Sequence, residues 1–511
     1  MNAPVLRVEA LSIAAGAHRV VDGLSFALAP GEALALVGES GSGKSATARA
    51  VIRLLPPGLR HAAGRILLGD EDLAAVAATR LRQLRGPGIG MVFQEPMTSL
   101  NPAQTVGAQM EEGLALHTRL TRAQRRDACV AMLERVGIAG AAARLSAFPH
   151  EFSGGMRQRI MLASVMLLRP RLLIADEPTT ALDTLTQAEV LDLMKALTRE
   201  QGSALLLITH DLGVVARYAD RALVMQAGRA VEEGPAAQLL ARPREAHTRA
   251  LVAALPRRGP ARPKRPPAPP LIEARDLVVT FPARAAWLRR APAVEAVRGV
   301  SLAIQPGEVV ALVGGSGSGK TTLGRALLRL APVAGGTLRF GHTDVTRLSG
   351  AALLPFRLAC QIVFQDPYAS LDPRMRVRDI VAEPLRLPAG LPPPQRIARA
   401  EAMLEEVGLA GIGDRLPHAL SGGQRQRVAI ARALVRDPAL VVADEAVSAL
   451  DATVRKQVLA LLAELQRRRG FACLFVTHDL GVVEEIADRI LVMHHGRIVE
   501  EGERDAVLDR P

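Results

Sequence analysis

Lysine is almost missing from this chain. Of 64 lysines and arginines only Lys44, Lys195, Lys264, Lys320 and Lys456 are lysine, so arginine serves nearly wherever a cation is needed. Cysteine is equally scarce: Cys129, Cys360 and Cys473 stand alone and far apart, which argues against a disulfide framework or a cysteine metal cluster and suits a reducing compartment. Aromatic residues make up 3%, leaving few platforms on which bases can stack. No apolar run reaches the roughly 18 residues that a membrane span needs. The N-terminus has no basic start leading into an apolar core, so the chain is expected to stay in the cytosol. Acids are short as well, 51 against 64 cations, for a formal charge of +13. That excess suits an arginine-rich solvated surface or a polyanion site on nucleic acid or lipid, and the shortage of aromatics favours the first. With 511 residues, 49% of them hydrophobic, the chain exceeds one core and calls for at least two domains.

Two of the five lysines sit in glycine-rich loops. Gly38, Glu39, Ser40, Gly41, Ser42, Gly43, Lys44 and Ser45 read GESGSGKS, and Gly314, Gly315, Ser316, Gly317, Ser318, Gly319, Lys320 and Thr321 read GGSGSGKT. Both fit the G-x-x-x-x-G-K-[ST] phosphate-binding loop. Each follows an apolar run that reads as a buried strand, Ala33 to Val37 and Val309 to Val313, and each opens a helix-like segment. The glycines let backbone N–H groups face phosphate oxygens, the helix N-terminus adds positive potential, the lysine reaches the outer phosphates, and Ser45 or Thr321 can ligate magnesium. A lone copy would also suit a plain turn before a helix; two copies with matching flanks do not.

The repeat extends well beyond the loops. Lys44 and Lys320 are 276 apart, Gln94 and Gln365 271, and Ser153/Ser421, Asp176/Asp444 and His210/His478 all 268. Small length changes in early loops followed by rigid agreement indicate duplicated domains, expected over 1–255 and 271–511. Between them Pro256 to Pro270 (PRRGPARPKRPPAPP) holds seven prolines, five cations and no acid, a semi-extended linker that is either a solvated tether or a contact for lipid headgroups. Early alternating runs, Leu6 to Ile13 and Leu24 to Leu28, suit an antiparallel sheet edge. Ile89 to Phe93 reads as a strand ending at Gln94, matched by Gln361 to Phe364 and Gln365. From Glu95 to about Arg169 the pattern is helical.

Ser153, Gly154, Gly155 and Met156, and their twins Ser421, Gly422, Gly423 and Gln424, form Ser-Gly-Gly turns opening arginine-rich helices. Such a turn is a second anion-binding helix start, although serine alone is simply a good N-cap. The strands Arg171 to Ala175 and Leu440 to Ala443 deliver Asp176-Glu177 and Asp444-Glu445. The first acid is placed to hold magnesium through water and the second to polarise an attacking water, unless both merely cap the next turn. Further strands, Ser203 to Thr209 and Phe471 to Thr477, end at His210 and His478, at the carboxyl edge where open parallel sheets bind ligands.

With these motifs in order, twice, each half resembles the nucleotide-binding domain of ABC transporters: Walker A loop, Gln loop, Ser-Gly-Gly signature, Walker B with its glutamate, the Ala181-Leu182-Asp183 or Ala449-Leu450-Asp451 turn, and a switch histidine. Within that family the chain is most similar to fused ATP-binding subunits of peptide importers of the oligopeptide and microcin C type, on the runs Phe93 to Pro102 (FQEPMTSLNP), Phe364 to Pro373 (FQDPYASLDP) and His247 to Leu251 (HTRAL), and on the Phe281 to Arg290 insertion. The resemblance implies an α/β fold of two tandem P-loop domains, each a RecA-like core with an antiparallel β subdomain and a helical subdomain. It implies ATP and Mg2+ as cofactors, with Ser45, Gln94, Asp176, Thr321, Gln365 and Asp444 around the metal. It implies two composite sites in which the Walker residues of one half face the signature of the other. It also implies partners: two transmembrane permease subunits and an extracytoplasmic solute-binding protein, with the chain peripheral on the cytoplasmic face of the inner membrane.

Several positions depart from the family pattern. Met156 stands where glutamine is usual, Ala446-Val447 where Pro-Thr is usual, and no cysteine cluster closes the domain. The aromatic that stacks on adenine corresponds to Phe281, whereas the first half has Ala15 there, with His18 three residues on. A rival reading, a soluble twin-ATPase acting on ribosomes or DNA, resembles proteins with a long charged helical linker rather than this short proline-rich one. A nucleotide sensor without turnover conflicts with having both Glu177 and Glu445.

Overall fold

The structure is a computed structural model that describes residues 3–93, 99–179, 182–256, 258, 268–282, 293–387, 391–448 and 450–510. Backbone contacts divide it into two compact units, one of Met1–Leu255 with Asp451–Thr453 and one of Pro256–Leu450 with Val454–Pro511. In the first, β1 (Leu6–Ala15), β2 (His18–Leu28), β3 (Ala33–Val37), β4 (Leu59–Leu68), β5 (Glu71–Asp72), β6 (Ile89–Val92), β7 (Leu172–Asp176), β8 (Ala204–Thr209), β9 (Arg221–Gln226) and β10 (Arg229–Pro235) form two sheets. The larger runs β10-β9-β3-β8-β7-β6, parallel except for β10, which pairs antiparallel with β9 at the edge.

Continuous apolar runs produce the parallel strands because both faces of the sheet are covered. Leu34, Leu36, Leu172, Ile174, Leu206 and Ile208 pack toward the helix Lys44–Val51 and the β1–β4 sheet. Leu173, Ala175, Leu205 and Leu207 pack on the opposite face with Met110, Leu133 and Ile160, which lie on the helices Val106–His117, Arg122–Arg135 and Gly154–Met166. These helices fill the helical stretch expected from Glu95 to Arg169, of which 95–98 lie outside the described residues.

The early alternating runs do pair antiparallel, but in their own sheet of order β2-β1-β4-β5. Neither β4 nor the β9–β10 hairpin was expected from the sequence: the first half of β4 is largely exposed and lacks a clean apolar alternation.

The second unit repeats the plan with β11 (Ile272–Phe281), β12 (Val294–Ile304), β13 (Val309–Val313), β14 (Gly335–Phe340), β15 (Thr343–Asp344), β16 (Cys360–Val363), β17 (Leu440–Asp444), β18 (Ala472–Val476), β19 (Arg489–His494) and β20 (Arg497–Glu503). Its sheets run β16-β17-β18-β13-β19-β20 and β12-β11-β14-β15. Among the described residues no helix is long and apolar enough to cross a membrane.

Both antiparallel sheets carry the same irregularity. In β1 the register to β4 shifts between Glu9 and Ser12 around Ala10, whose φ is 48°, and Gly64 lies opposite at φ +93°. A Cβ on Gly64 would fall 2.5 Å from the Ala10 carbonyl oxygen, and one on Gly336 (φ +84°) 2.3 Å from that of Asp276. Only glycine permits both the left-handed backbone and this approach. Gly64→Ala or Gly336→Ala is therefore expected to destabilise its unit by about 1–3 kcal/mol, read as a lower urea midpoint at unchanged slope.

Candidate functional site

The parallel ladders bring three strand ends to one level. Leu36 of β3 lies opposite Ile208 of β8, which in turn lies opposite Asp176 of β7, so the segments that follow these strands leave the same carboxyl edge. In the second unit Leu312, Val476 and Asp444 align likewise. This edge is where open α/β sheets take ligands.

After β3 the chain turns through Gly38–Gly43 into the helix Lys44–Val51. Gly38 (φ +155°) passes so close to the backbone that a Cβ would sit 2.3 Å from Met225 O; for Gly314 the distance to Met493 O is 2.1 Å. Lys44 Nζ donates to Gly38 O (2.7 Å), Glu39 O (2.8 Å) and Ser42 Oγ (3.3 Å). Lys320 Nζ donates to Gly314 O and Gly315 O, both at 2.8 Å, and to Ser318 Oγ at 3.5 Å. Each ammonium thus closes its own loop into a cradle whose helix-start N–H groups suit phosphate oxygens. Burial pushes the Lys44 ammonium below its ordinary pKa, with the nearby Glu177 carboxylate opposing.

Ser45 Oγ donates to Asp176 Oδ1 at 2.9 Å, and Thr321 Oγ1 to Asp444 Oδ1 at the same distance. The second oxygen of Asp176, Oδ2, is buried without a hydrogen-bond partner, while Asp444 Oδ2 lies 4.0 Å from Arg325 Nη2. Burial raises both carboxyl pKa values, and the hydroxyl hydrogen bonds oppose the rise. An unpartnered buried carboxylate oxygen beside a hydroxyl fits a divalent cation. Among the described residues no group of three or more His, Cys, Asp or Glu side chains converges on one point. One carboxylate and one hydroxyl in each unit are the side chains available there to a cation.

One residue on, Glu177 and Glu445 adopt left-handed φ angles of 46° and 48°, held by their N–H groups donating to Ile208 O and Val476 O at 2.9 Å. Such conformations cost on the order of 1–3 kcal/mol and cluster at functional sites. His210 Nδ1 meets Glu177 Oε1 at 3.0 Å, and His478 Nδ1 lies 3.4 Å from Glu445 Oε1. Gln365 Nε2 donates to Glu445 Oε2 at 2.7 Å; Gln94, its expected twin, lies outside the described residues. In each unit the structure therefore gathers the loop lysine, the Ser/Thr–Asp pair, the glutamate and the histidine at one sheet edge.

The Ser-Gly-Gly turns begin the helices Gly154–Met166 and Gly422–Leu434. Ser421 and Gln424 form a full capping box, with Ser421 Oγ accepting from Gln424 N (3.3 Å) and Gln424 Oε1 from Ser421 N (3.0 Å). Ser153 Oγ accepts from Met156 N at 3.4 Å, but the Met156 thioether cannot return the bond as an amide does. Gly155 and Gly423 are packing requirements as well: a Cβ on either would lie 2.4 Å from Thr186 Cγ2 or Val454 Cγ1. Phe281 ends β11 and is 41% exposed. Ala15 ends β1 and faces His18 of β2. Sequence reasoning missed Arg325, beside Asp444 and five residues beyond the loop lysine, and its twin Arg49, five beyond Lys44, whose charge acts on Asp176; that shared spacing was the signal.

The family model described as "ABC transporter" matches residues 21–180 and 297–448. This chain belongs to the ABC transporter family. Both matched stretches hold the loop, glutamine, signature and Asp-Glu positions and stop short of the histidines. The chain is an ABC-type ATPase. It is 46% identical to the glutathione import ATP-binding protein GsiA of Escherichia coli O157:H7, over 99% of this chain and 87% of that one. It is likewise 46% identical to the peptidoglycan transport ATP-binding protein YejF of Agrobacterium fabrum, over 99% of this chain and 94% of that one. A solved dimeric ATP-binding cassette, MJ0796 bound to ADP and Pi, aligns with 46% of this chain and 98% of its own at 28% identity and a TM-score of 0.41.

Burial of this ABC site generates a prediction. Because the folded Asp176 pKa is raised above 3.8, the stability it contributes is present below that value and lost as pH rises through the raised one. Near neutral pH the ionised, buried carboxylate therefore destabilises the nucleotide-free protein. Asp176→Asn with Asp444→Asn is expected to melt at the same or a higher temperature near neutral pH, with the difference fading as pH falls toward the ordinary carboxylate range. Stabilisation by ATP with magnesium should be lost. Melting curves with and without magnesium across pH check both; a wild-type magnesium response in the variant would refute the cation role.

Proposed function

We propose that this chain is the ATP-hydrolysing subunit that energises import of peptides or peptide-like solutes through separate membrane permeases. The observation that carries the chemistry is the doubled carboxyl-edge cluster, Lys44, Ser45, Asp176, Glu177 and His210 with Lys320, Thr321, Asp444, Glu445 and His478. The cargo reading is supported by 46% identity along 99% of the chain to proteins named for glutathione import and peptidoglycan transport.

In this reading the loop amides and Lys44 or Lys320 bind the ATP phosphates, and the buried ammonium balances their charge as it leaves the loop carbonyls. Ser45, Asp176 and Gln94, or Thr321, Asp444 and Gln365, hold Mg2+, whose charge neutralises the phosphate oxygens. Glu177 and Glu445 accept the proton of the attacking water. The imidazole Nδ1 of His210 or His478 keeps that carboxylate oriented, leaving Nε2 for the terminal phosphate. Ser421 to Gln424 complete the first site and Ser153 to Met156 the second, across a head-to-tail pair formed within one chain of two domains, 1–255 and 271–511, joined by a linker over 256–270. Two transmembrane permease subunits and an extracytoplasmic solute-binding protein are the partners, and the chain is peripheral on the cytoplasmic face of the inner membrane.

Two measurements test this. Isolated protein hydrolyses ATP with magnesium, and Glu177→Gln with Glu445→Gln abolishes turnover while retaining nucleotide; turnover at the wild-type rate in that variant refutes the assignment. In a Lys44→Ala background, which leaves the second site to be read alone, Phe281→Ala is expected to weaken ATP binding about 5-fold. That is the low end of what a base–aromatic stack contributes, about 1–3 kcal/mol. An unchanged titration makes Phe281 only an exposed strand-end residue.

A further inference from the structure

In the first unit the helix Val106–His117 and the first turns of Arg122–Arg135 line a cavity of about 440 Å3, a volume within the range of small-molecule sites. Glu111 and Glu112 reach it from the first helix, and Arg122, Arg125 and Arg126, spaced three and four residues apart on one helical face, from the second. One wall is therefore acidic and the other basic, and Ala108 and Ala115, a turn to either side of the acids, leave the space between them open. Among the described residues none of these five charged side chains makes an ion pair. The hydroxyls at the cavity are already committed, Thr105 Oγ1 accepting from Ala108 N at 3.3 Å and Ser146 Oγ donating to Ala143 O at 2.8 Å. Arg125 is anchored by Nη1 donating to Leu120 O at 2.8 Å, and its Nε is buried with no hydrogen-bond partner.

The second unit shows that the helical layer does not need these charges. From Gln94/Gln365 to Gly137/Gly408 the two halves keep an offset of 271, at which Glu111, Arg122 and Arg126 become Ala382, Pro393 and Ile397. Gly107 becomes Arg378, whose Nη1 pairs with Asp414 Oδ1 at 2.8 Å, as Arg376 Nη1 does at 2.5 Å. There an acid of the same unit closes the arginines, whereas in the first unit both signs of charge are left facing one space.

We propose that this cavity binds a short peptide or peptide-like solute with free ends, its ammonium at Glu111 and Glu112 and its carboxylate at Arg122, Arg125 and Arg126. A zwitterion supplies a partner to each wall at once, through charge-assisted hydrogen bonds that a singly charged ligand makes at one wall only. The source of the ligand rests on the import reading above: a subunit that energises uptake sits where the imported solute is released, so the cavity meets the product of transport. The site lies apart from the carboxyl-edge cluster and uses none of its residues.

The test is calorimetric titration of the full chain with trialanine in the absence of nucleotide, so that it reads the cavity and not ATP chemistry. Trialanine is expected to bind, and N-acetyl-trialanine and trialanine amide each to bind about 5- to 10-fold more weakly, because one end loses its charge-assisted hydrogen bonds. Glu111→Gln with Glu112→Gln should erase the difference between the free and the acetylated peptide, and Arg122→Gln with Arg126→Gln the difference between the acid and the amide. Ala115→Trp, at an exposed position of the helix, fills the cavity without touching a charge and should abolish binding at an unchanged melting temperature. The proposal is overturned if trialanine does not bind at millimolar concentration, if both blocked peptides bind as well as it does, or if Ala115→Trp binds normally. It is overturned as well if inorganic phosphate displaces trialanine while acetylation costs nothing, since the arginines are then a plain anion patch. Turnover at the wild-type rate in Glu177→Gln with Glu445→Gln would remove the import source of the ligand and leave these titrations as they are, so the two readings fail separately.

Discussion

A hydrogen bond between residues far apart in the chain, Ser45 Oγ to Asp176 Oδ1, is the contact on which the site depends. It exists only because β3, β8 and β7 are hydrogen-bonded in parallel with Leu36, Ile208 and Asp176 level. A one-residue slip would turn every side chain of β7 to the other face and move the carboxylate away from the phosphate loop. The wholly buried apolar faces of these strands hold that register, since a slip would also unseat Ile174 and Leu206 from their packing.

The same geometry explains why unfavourable features are kept at this edge. A buried lysine, a buried aspartate with an orphaned oxygen and a glutamate in left-handed backbone each oppose folding. Their charges act on one another across the sheet edge, and together they form a site suited to an anion and a divalent cation.

The two units share a plan without sharing every detail. Ser421 has a full capping box where Ser153 has half of one, because a thioether replaces an amide at Met156. Asp444 has Arg325 within ion-pair range of the oxygen that in Asp176 stays unpartnered. An exposed phenylalanine ends β11 where alanine ends β1. The cap and the strand-end aromatic are substitutions of single side chains on a common backbone, whereas Arg325 has its counterpart in Arg49, whose charge also acts on Asp176 and differs only in its placement.

Much of this was legible without coordinates because it is local. A phosphate loop needs glycines at set offsets and one lysine, and in a chain with five lysines those two stand out. Continuous apolar runs read as buried parallel strands, and the acids and histidines at their ends fall where such sheets bind ligands. Twin spacing then marks the duplication. What only the tertiary structure decided is whatever depends on partners distant in sequence. The order of the strands, the separate sheet of β1, β2, β4 and β5, and the β9–β10 hairpin follow from long-range pairing that no local pattern in those segments announces. The glycine opposite each bulge, the left-handed Glu177 and Glu445, and the Tyr368 ring, whose centroid lies 3.8 Å from Cζ of the buried Arg425, are likewise imposed by what packs against them. An isolated tyrosine in a polar run carries no sign of the buried guanidinium it will cover, because that burial is created only when the two helices meet.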